Sequence, residues 1–351
     1  MQILKILLVG PFPAPVGGVS IHLDRLSKIL SENLKIDKID ESSSIKNEIY
    51  NVRSLNPITY FQKINSADVV HIHSGNRLLK YFHLIISKIL GKKIVLTIHS
   101  YRKGKFGGIY LLFDRLMYSL PNITIVVNKN ISDYLQLKNK TIVMNAFLPP
   151  VMSEEMELPV ELQSWIKKKK EDGFHITIAN ASRLEIFCNE DLYGLDLCID
   201  AALYFKKKNT KICFVFIVSA ENGGIDIGYY RNIIESNNLT DCFYLLPGSI
   251  SFVNLMLATD SVLRPTNTDG DSLTVREALL FGKNVIASDV VARPKGTILF
   301  KNREVESLIG KLELIMENPA SKINKFNETG ILEENIKFYN KFYYELYNKM
   351  T

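Results

Sequence analysis

In the second half of the chain, Asp269-Gly270-Asp271-Ser272 leads into Leu273-Thr274-Val275-Arg276-Glu277, residue types suited to gripping a diphosphate and a sugar. A strand is expected over 261–264 and a helix over 272–281, so the amides from Gly270 to Thr274 lie at a helix start. Unbonded amides and the positive end of the helix dipole together favour an anion. Glu277 falls one to two turns into the helix, where its carboxylate can accept paired hydroxyls from a ribose. Asp269 precedes the helix and can reach sugar hydroxyls. The same residues would also suit an Asp/Ser cap followed by a surface Glu, but the strand-end position favours a ligand site. Asp269-Gly270-Asp271 also spells a D-x-D triplet, which can hold Mg²⁺ or Mn²⁺ against a diphosphate. Because the triplet opens a helix carrying Glu277 in a chain with two α/β halves, no metal requirement is expected.

A second candidate is Gly17-Gly18-Val19, between the first strand and the first helix. Its spacing is not the G-x-G-x-x-G fingerprint. Paired glycines still let a ligand approach the backbone, and the helix start that follows favours negative charge. A rigid, proline-bounded turn with no ligand explains the run equally well. Among six histidines, His71 and His73 are expected on opposite faces of their strand and in packing roles. His99 closes the next strand and is the functional candidate.

These residues need a scaffold. In the first half, nearly continuous apolar runs at 5–9, 68–73, 93–99 and 122–127 read as parallel strands covered on both faces. Between them, 19–30 and 78–90 carry helical apolar stripes. The second of these places Leu78, Leu79, Phe82, Ile85, Ile86 and Ile89 on one stripe. Strand-then-helix alternation predicts a doubly wound α/β domain over 1–150. Residues 151–172 read as an interdomain connection containing a helix. Alternation restarts over 173–333, with strands at 175–179, 211–219, 242–246, 261–264 and 284–288 and helices at 194–207, 229–236, 272–281 and 305–316. Residues 334–351 form an amphipathic helix rich in tyrosine and phenylalanine. The fold class is α/β, with two Rossmann-like domains facing across a cleft, where open α/β sheets bind ligands beyond their strand ends.

The 269–277 segment resembles the nucleotide-sugar motif of glycosyltransferase family 4, which has the GT-B fold. That motif has two glutamates eight positions apart around a glycine-rich turn, then Glu-Ala and a Gly-x-Pro-Val-Ile-Ala strand. Here Asp269 and Glu277 hold the two acidic positions, and Phe281-Gly282-Lys283-Asn284-Val285-Ile286-Ala287-Ser288-Asp289 follows in register. The likeness extends to Gly17-Gly18-Val19, Asp68-Val69-Val70-His71-Ile72-His73, Thr97-Ile98-His99 and Ala181-Ser182-Arg183-Leu184. It implies a retaining, metal-independent sugar transfer with a UDP- or GDP-sugar as donor substrate and no further cofactor. Glu277 would hold the ribose, and amides around Gly270, Asp271, Ser272, Leu273 and Thr274 would meet the diphosphate. Arg183 would support the leaving phosphate, Asp269 would touch the donor sugar, and His99 would face that sugar from the other domain. Gly17 and Gly18 would close over the diphosphate. The family's lysine after the arginine is replaced by Tyr193, ahead of Gly194; Lys295 and Arg264 are the cations available to compensate.

The 351 residues, 46% hydrophobic and 23% charged, exclude collagen-like, coiled-coil and wholly disordered chains. No apolar run reaches the ~18 residues that span a bilayer. The N-terminus ends in Gly-Pro rather than a cleavage site and reads as a first strand. Four scattered cysteines (Cys188, Cys198, Cys213 and Cys242) fit neither a disulfide framework nor a zinc site, and point to the cytosol.

The net +6 hides an asymmetry. Residues 1–150 hold 20 Lys or Arg against 9 Asp or Glu, while the remainder holds 23 against 28. A basic first half suits an anionic partner. Lys92, Lys93, Arg102, Lys103, Lys105 and Phe106 are the candidate acceptor or membrane surface, since anionic lipids attract such segments. The resemblance implies a glycan or lipid-diphosphate-linked acceptor in bacterial surface polysaccharide synthesis, at the inner face of the cytoplasmic membrane. Nucleic acid is not an expected partner, because no stacking aromatics interleave with the cations. The alternative function is a nucleotide-sugar isomerase or an inactive GT-B partner subunit.

Overall fold

The computed structural model describes the chain except residues 1–2, 14–16, 32, 102–107, 138–139, 145–146, 221–223, 271 and 319–327, together with the side chains of 108–109, 154 and 328–335. It divides into two compact units, Met1–Pro149 with Leu332–Thr351, and Pro150–Ile331.

The first unit runs β1 (Lys5–Gly10), α1 (Gly18–Ser31), β2 (Lys35–Asp40), α2 (Pro57–Ser66), β3 (Val69–Ile72), α3 (Arg77–Ile89), β4 (Lys93–Ile98), α4 (Gly108–Met117), β5 (Ile123–Val126), α5 (Lys129–Leu135) and β6 (Lys140–Val143). Its sheet has the order β2-β1-β3-β4-β5-β6, parallel throughout. The central strands bury every residue of their apolar runs, as a sheet covered on both faces requires. Edge strand β2, Lys-Ile-Asp-Lys-Ile-Asp, escapes sequence detection because only its last two residues are buried.

The second unit runs α6 (Val160–Glu171), β7 (His175–Ala181), β8 (Ile186–Phe187), β9 (Glu190–Asp191), α7 (Leu195–Lys207), β10 (Ile212–Val218), α8 (Ile227–Ser236), β11 (Phe243–Pro247), α9 (Phe252–Ala258), β12 (Ser261–Arg264), α10 (Leu273–Leu280), β13 (Asn284–Ser288), β14 (Ile298–Phe300) and α11 (Val305–Glu317). The order β11-β10-β7-β12-β13-β14 is again parallel. Each unit is therefore Rossmann-like. Residues 151–172, expected as a connection, are grouped with this unit. Here α6 buries Leu162 and Ile166, and Lys169 on α6 pairs with Asp241 at 2.6 Å.

The terminal helix α12 (Glu328–Asn348) docks on the first unit. Tyr339, Tyr343, Leu346 and Tyr347 pack against Leu23, Leu26 and the β1 face. The Asn340 amide donates to the Ile29 carbonyl at 2.9 Å, which fixes α12 against α1.

The apolar stripe of α3 is only partly covered: Leu78 is 75% exposed and Ile89 73%, with Phe82 and Ile85 also exposed, while Ile86 packs partly buried against the core. Lys80, His83, Leu84 and Ser87 point inward. Two of the inward polar groups have partners waiting. His83 takes Tyr60 Oη at 2.7 Å and Glu41 at 3.0 Å, and Lys80 reaches Tyr118 Oη at 3.4 Å. Amphipathic periodicity fixes that a helix has two faces but not which one the tertiary structure buries.

Candidate functional site

The strand order of the second unit reverses between β7 and β12, each followed by a helix on the opposite side. Such a switch point opens a crevice beyond the carboxyl ends of the two strands. Thr274 Oγ1 donates to Asn180 Oδ1 at 3.3 Å, tying the start of α10 to the end of β7. Ser272 caps α10, its hydroxyl accepting from Val275 N at 3.4 Å. The amides of Leu273 and Thr274 stay outside the helix's own ladder. The expectation of a free amide at Gly270 is not met, because it donates to Asp269 Oδ1 at 3.0 Å. Glu277 is buried on the second turn of α10. Asp271 lies outside the described residues.

Asp269 is paired with two cations. Arg264 reaches it twice, Nε at 3.1 Å and Nη2 at 3.3 Å. Arg293 Nη1 donates at 2.8 Å and Thr266 Oγ1 at 3.4 Å. Both carboxylate oxygens are thus engaged within the fold. Burial alone would raise the Asp269 pKa, but the charge and hydrogen bonds of Arg264, joined by Arg293, hold it far below the usual carboxylate range. Arg293 is missed by sequence reasoning. It follows β13 by five residues, carries no local signature, and also donates to the Ser288 carbonyl at 3.1 Å.

Tyr193 stands where the resemblance leads one to expect lysine. Its hydroxyl shares a 2.7 Å hydrogen bond with Ser182 Oγ at the end of β7. The Arg264 guanidinium lies over its ring, 5.5 Å from the centroid, within cation–π range. The β8–β9 hairpin is pinned to the β12 turn, since Asn267 donates from its side chain to Phe187 O and from its amide to Leu192 O. Gly194, at φ +70°, backs directly onto Pro265, and a Cβ there would collide with the proline carbonyl and ring. The chain therefore places a cation beside Tyr193 from the neighbouring strand. Lys295 is exposed. Arg183 is half-exposed and bonds Glu185 at 2.7 Å.

In the first unit the strand order reverses between β1 and β3, where Gly17 and Gly18 begin α1. A side chain at Gly18 would meet nothing within 4 Å among the described residues, and one at Gly17 only the Ser20 hydroxyl at 3.9 Å. Packing within the fold thus does not demand glycine at either position.

Beyond β3 and β4 the histidines converge. His73 Nδ1 and His99 Nε2 are 3.0 Å apart, and the rings of His22 and His99 are 4.8 Å apart. The opposite-face expectation for His71 and His73 fails, because residues two apart on a strand share a face; their rings lie 4.1 Å apart. His71 is held by Tyr347 Oη at 2.7 Å and Thr97 Oγ1 at 2.8 Å, a packing role. Burial first, then the neighbouring imidazoles, lowers the pKa of His71, His73 and His99 well below the usual value. Neutral rings are the form that hydrogen-bonds a sugar hydroxyl or ligates a metal. His22, His73 and His99 offer ring nitrogens within 4.8 Å of one another, the one such grouping of His, Cys, Asp or Glu among the described residues. His22 lies one turn into α1 and carries no local signature in the sequence.

Of the expected acceptor surface, Lys92 is committed inside the fold, donating to the carbonyls of Asn65 at 2.7 Å and Ala67 at 3.1 Å. Lys93 is exposed. Arg102, Lys103, Lys105 and Phe106 lie outside the described residues. Among the described residues, no helix is long and apolar enough to cross a membrane.

No protein-family model and no curated protein matches the chain by sequence. Solved structures do match by shape. HepE of Anabaena in complex with UDP-glucose aligns at a TM-score of 0.74 and 16% identity, covering 98% of this chain and 99% of that one. A glycosyltransferase from Rickettsia africae aligns at 0.72 and 13%, covering 100% and 99%. Sucrose-phosphate synthase from Thermosynechococcus elongatus aligns at 0.72 and 12%, covering 99% and 100%. At such identities the likeness is one of fold, and the fold is GT-B.

Proposed function

We propose that the chain is a retaining glycosyltransferase of family 4 that moves a sugar from a nucleoside-diphosphate sugar to an acceptor hydroxyl without a metal. The observation that carries the proposal is the convergence of the α10 start, Arg264 and buried Glu277 beside the β7/β12 switch point. HepE, of similar fold, was crystallised with UDP-glucose, which supports the same donor class.

In the proposed complex Glu277 accepts the ribose hydroxyls, and the amides of Leu273 and Thr274 donate to the diphosphate. Arg264 replaces the family's lysine as the cation on the leaving group, with Arg183 beside it. Preorganised donors of this kind stabilise charge as it develops on the departing diphosphate, so little acid catalysis is needed. Asp269 is a positioning residue that orients Arg264. His99 is the imidazole offered to a sugar hydroxyl, with His73 fixing its ring through the 3.0 Å bond. The acceptor is a lipid-diphosphate-linked glycan at the inner face of the cytoplasmic membrane, in bacterial surface polysaccharide synthesis.

Calorimetric titration of UDP, GDP and several of their sugars into wild type and Glu277→Ala, with and without EDTA, tests the proposal. Metal-independent binding of one nucleotide by wild type, weakened at least tenfold in the variant, is expected. Absence of binding to every nucleotide would overturn it and leave an inactive partner subunit.

A further inference from the structure

Helices α3 and α4 each leave a row of apolar side chains exposed, and we infer that this outward face docks on an anionic lipid bilayer. On α3 the four exposed side chains Leu78, Phe82, Ile85 and Ile89 recur at helical spacing and form one stripe. The polar side chains Lys80, His83 and Ser87 occupy the opposite, buried face. Helix α4 shows the same pattern: Leu112, Phe113 and Leu116 are exposed while Asp114 is fully buried.

The two helices are locked together from within. Asp114 accepts from Arg77 at 2.9 Å and Tyr81 Oη at 2.6 Å, both on α3, and from Tyr101 Oη at 2.7 Å. This polar lock fixes both apolar stripes outward, so the exposed face is built into the fold. The patch continues onto α2, whose Tyr60 ring lies 5.2 Å from that of Phe82 and whose Ile58 and Phe61 are exposed. Single exposed apolar residues are ordinary, but three adjacent helices presenting them together mark an interaction surface.

Charge selects the occupant. Helices α2, α3 and α4 carry one acidic residue between them, Asp114, and it is buried. Residues 77–113 hold no Asp or Glu. Lys88 and Lys93 are exposed at the Ile89 end of the stripe. An apolar face bordered by Lys88 and Lys93, with no exposed carboxylate among the described residues of the three helices, complements a bilayer of negatively charged headgroups. The inference uses none of the residues assigned to the nucleotide, Arg264, Leu273, Thr274 and Glu277, all of which belong to the second unit.

Co-sedimentation of the full chain with phosphatidylcholine vesicles, with and without phosphatidylglycerol, tests it at low and high salt. Wild type is expected to bind the anionic vesicles at least ~10-fold more tightly than the neutral ones, and less at high salt. Lys88→Glu/Lys93→Glu should weaken anionic binding roughly thirtyfold. Leu78→Ser/Ile89→Ser/Leu112→Ser should abolish binding to both; these side chains are exposed, and an unchanged melting curve verifies the fold. Equal binding to the two vesicle types, or binding that the apolar variant retains, would overturn the inference. So would a concentration-dependent dimer in analytical ultracentrifugation that the apolar variant dissolves, which would assign the face to a second copy of the chain. Nucleotide titration of the same variants should match wild type, so a failed docking surface and a failed donor site are told apart.

Discussion

Arg264→Met removes the guanidinium while keeping most of the side-chain volume, and the structure sets what should follow. Arg264 spends its Nε and one Nη2 proton on Asp269, and a guanidinium has five N–H donors. Three therefore remain for a diphosphate. A charge-assisted hydrogen bond contributes about 1.5–3 kcal/mol, so the dissociation constant of the preferred nucleoside diphosphate should rise roughly 10–150-fold. The fold should tolerate the change, because Arg293, 2.8 Å from Asp269, still compensates the carboxylate. The expected loss of stability is about 1–2 kcal/mol. Titrating the diphosphate and the bare nucleoside in parallel separates the phosphate contact from the rest, and the nucleoside should be unaffected. Adding Tyr193→Lys to Arg264→Met returns a cation to the position the resemblance assigns it and should recover most of the lost affinity. The assignment of Arg264 is refuted if the folded variant binds the diphosphate within about a factor of two of wild type, or if nucleoside and diphosphate weaken equally.

Two further outcomes are expected from buried charges. Asp269→Asn strands two largely buried guanidinium groups, 2% and 14% exposed, and should cost on the order of 3–5 kcal/mol at pH 7. Since the folded pKa of Asp269 is depressed, its contribution is complete above the unfolded value near ~3.9 and is lost as pH falls through the folded one. Urea unfolding from pH 7 down to pH 3 should show the wild type–variant gap closing only at the acid end. Burial lowers Lys80 to about 8, against opposing pulls from Asp114 and Glu41 and with a small push from Arg77. Between about pH 8 and 10.4 the unfolded chain holds a proton that the folded chain has shed, so stability should rise with pH across that window. Lys80→Met should be more stable than wild type at pH 7 by on the order of 1–3 kcal/mol, with the gain shrinking toward pH 10; parallel pH profiles would contradict this.

The sequence by itself determined the layer architecture. Continuous apolar runs such as Ile212–Val218, buried at all seven positions, suit only strands covered on both faces, and the helices between them force parallel pairing. It also placed Ser272 at a helix start and Glu277 beyond it, because cap and turn chemistry is local. Tertiary structure decided the rest. Asp269 and Arg293 are 24 residues apart and meet because β12 and β13 are parallel neighbours whose ends bring both turns together. His22, His73 and His99 come from α1 and the ends of β3 and β4, and no spacing in the chain announces their contact. Helix α3 shows the limit most clearly. Its periodicity specifies an apolar stripe, yet Leu78, Phe82, Ile85 and Ile89 stay exposed while Lys80 and His83 are buried beside Leu84, because Glu41, Tyr60 and Tyr118 wait there for the two polar side chains. A hydrophobic stripe records that a surface will be covered; only the surrounding fold decides whether the chain's own core or something outside the chain covers it.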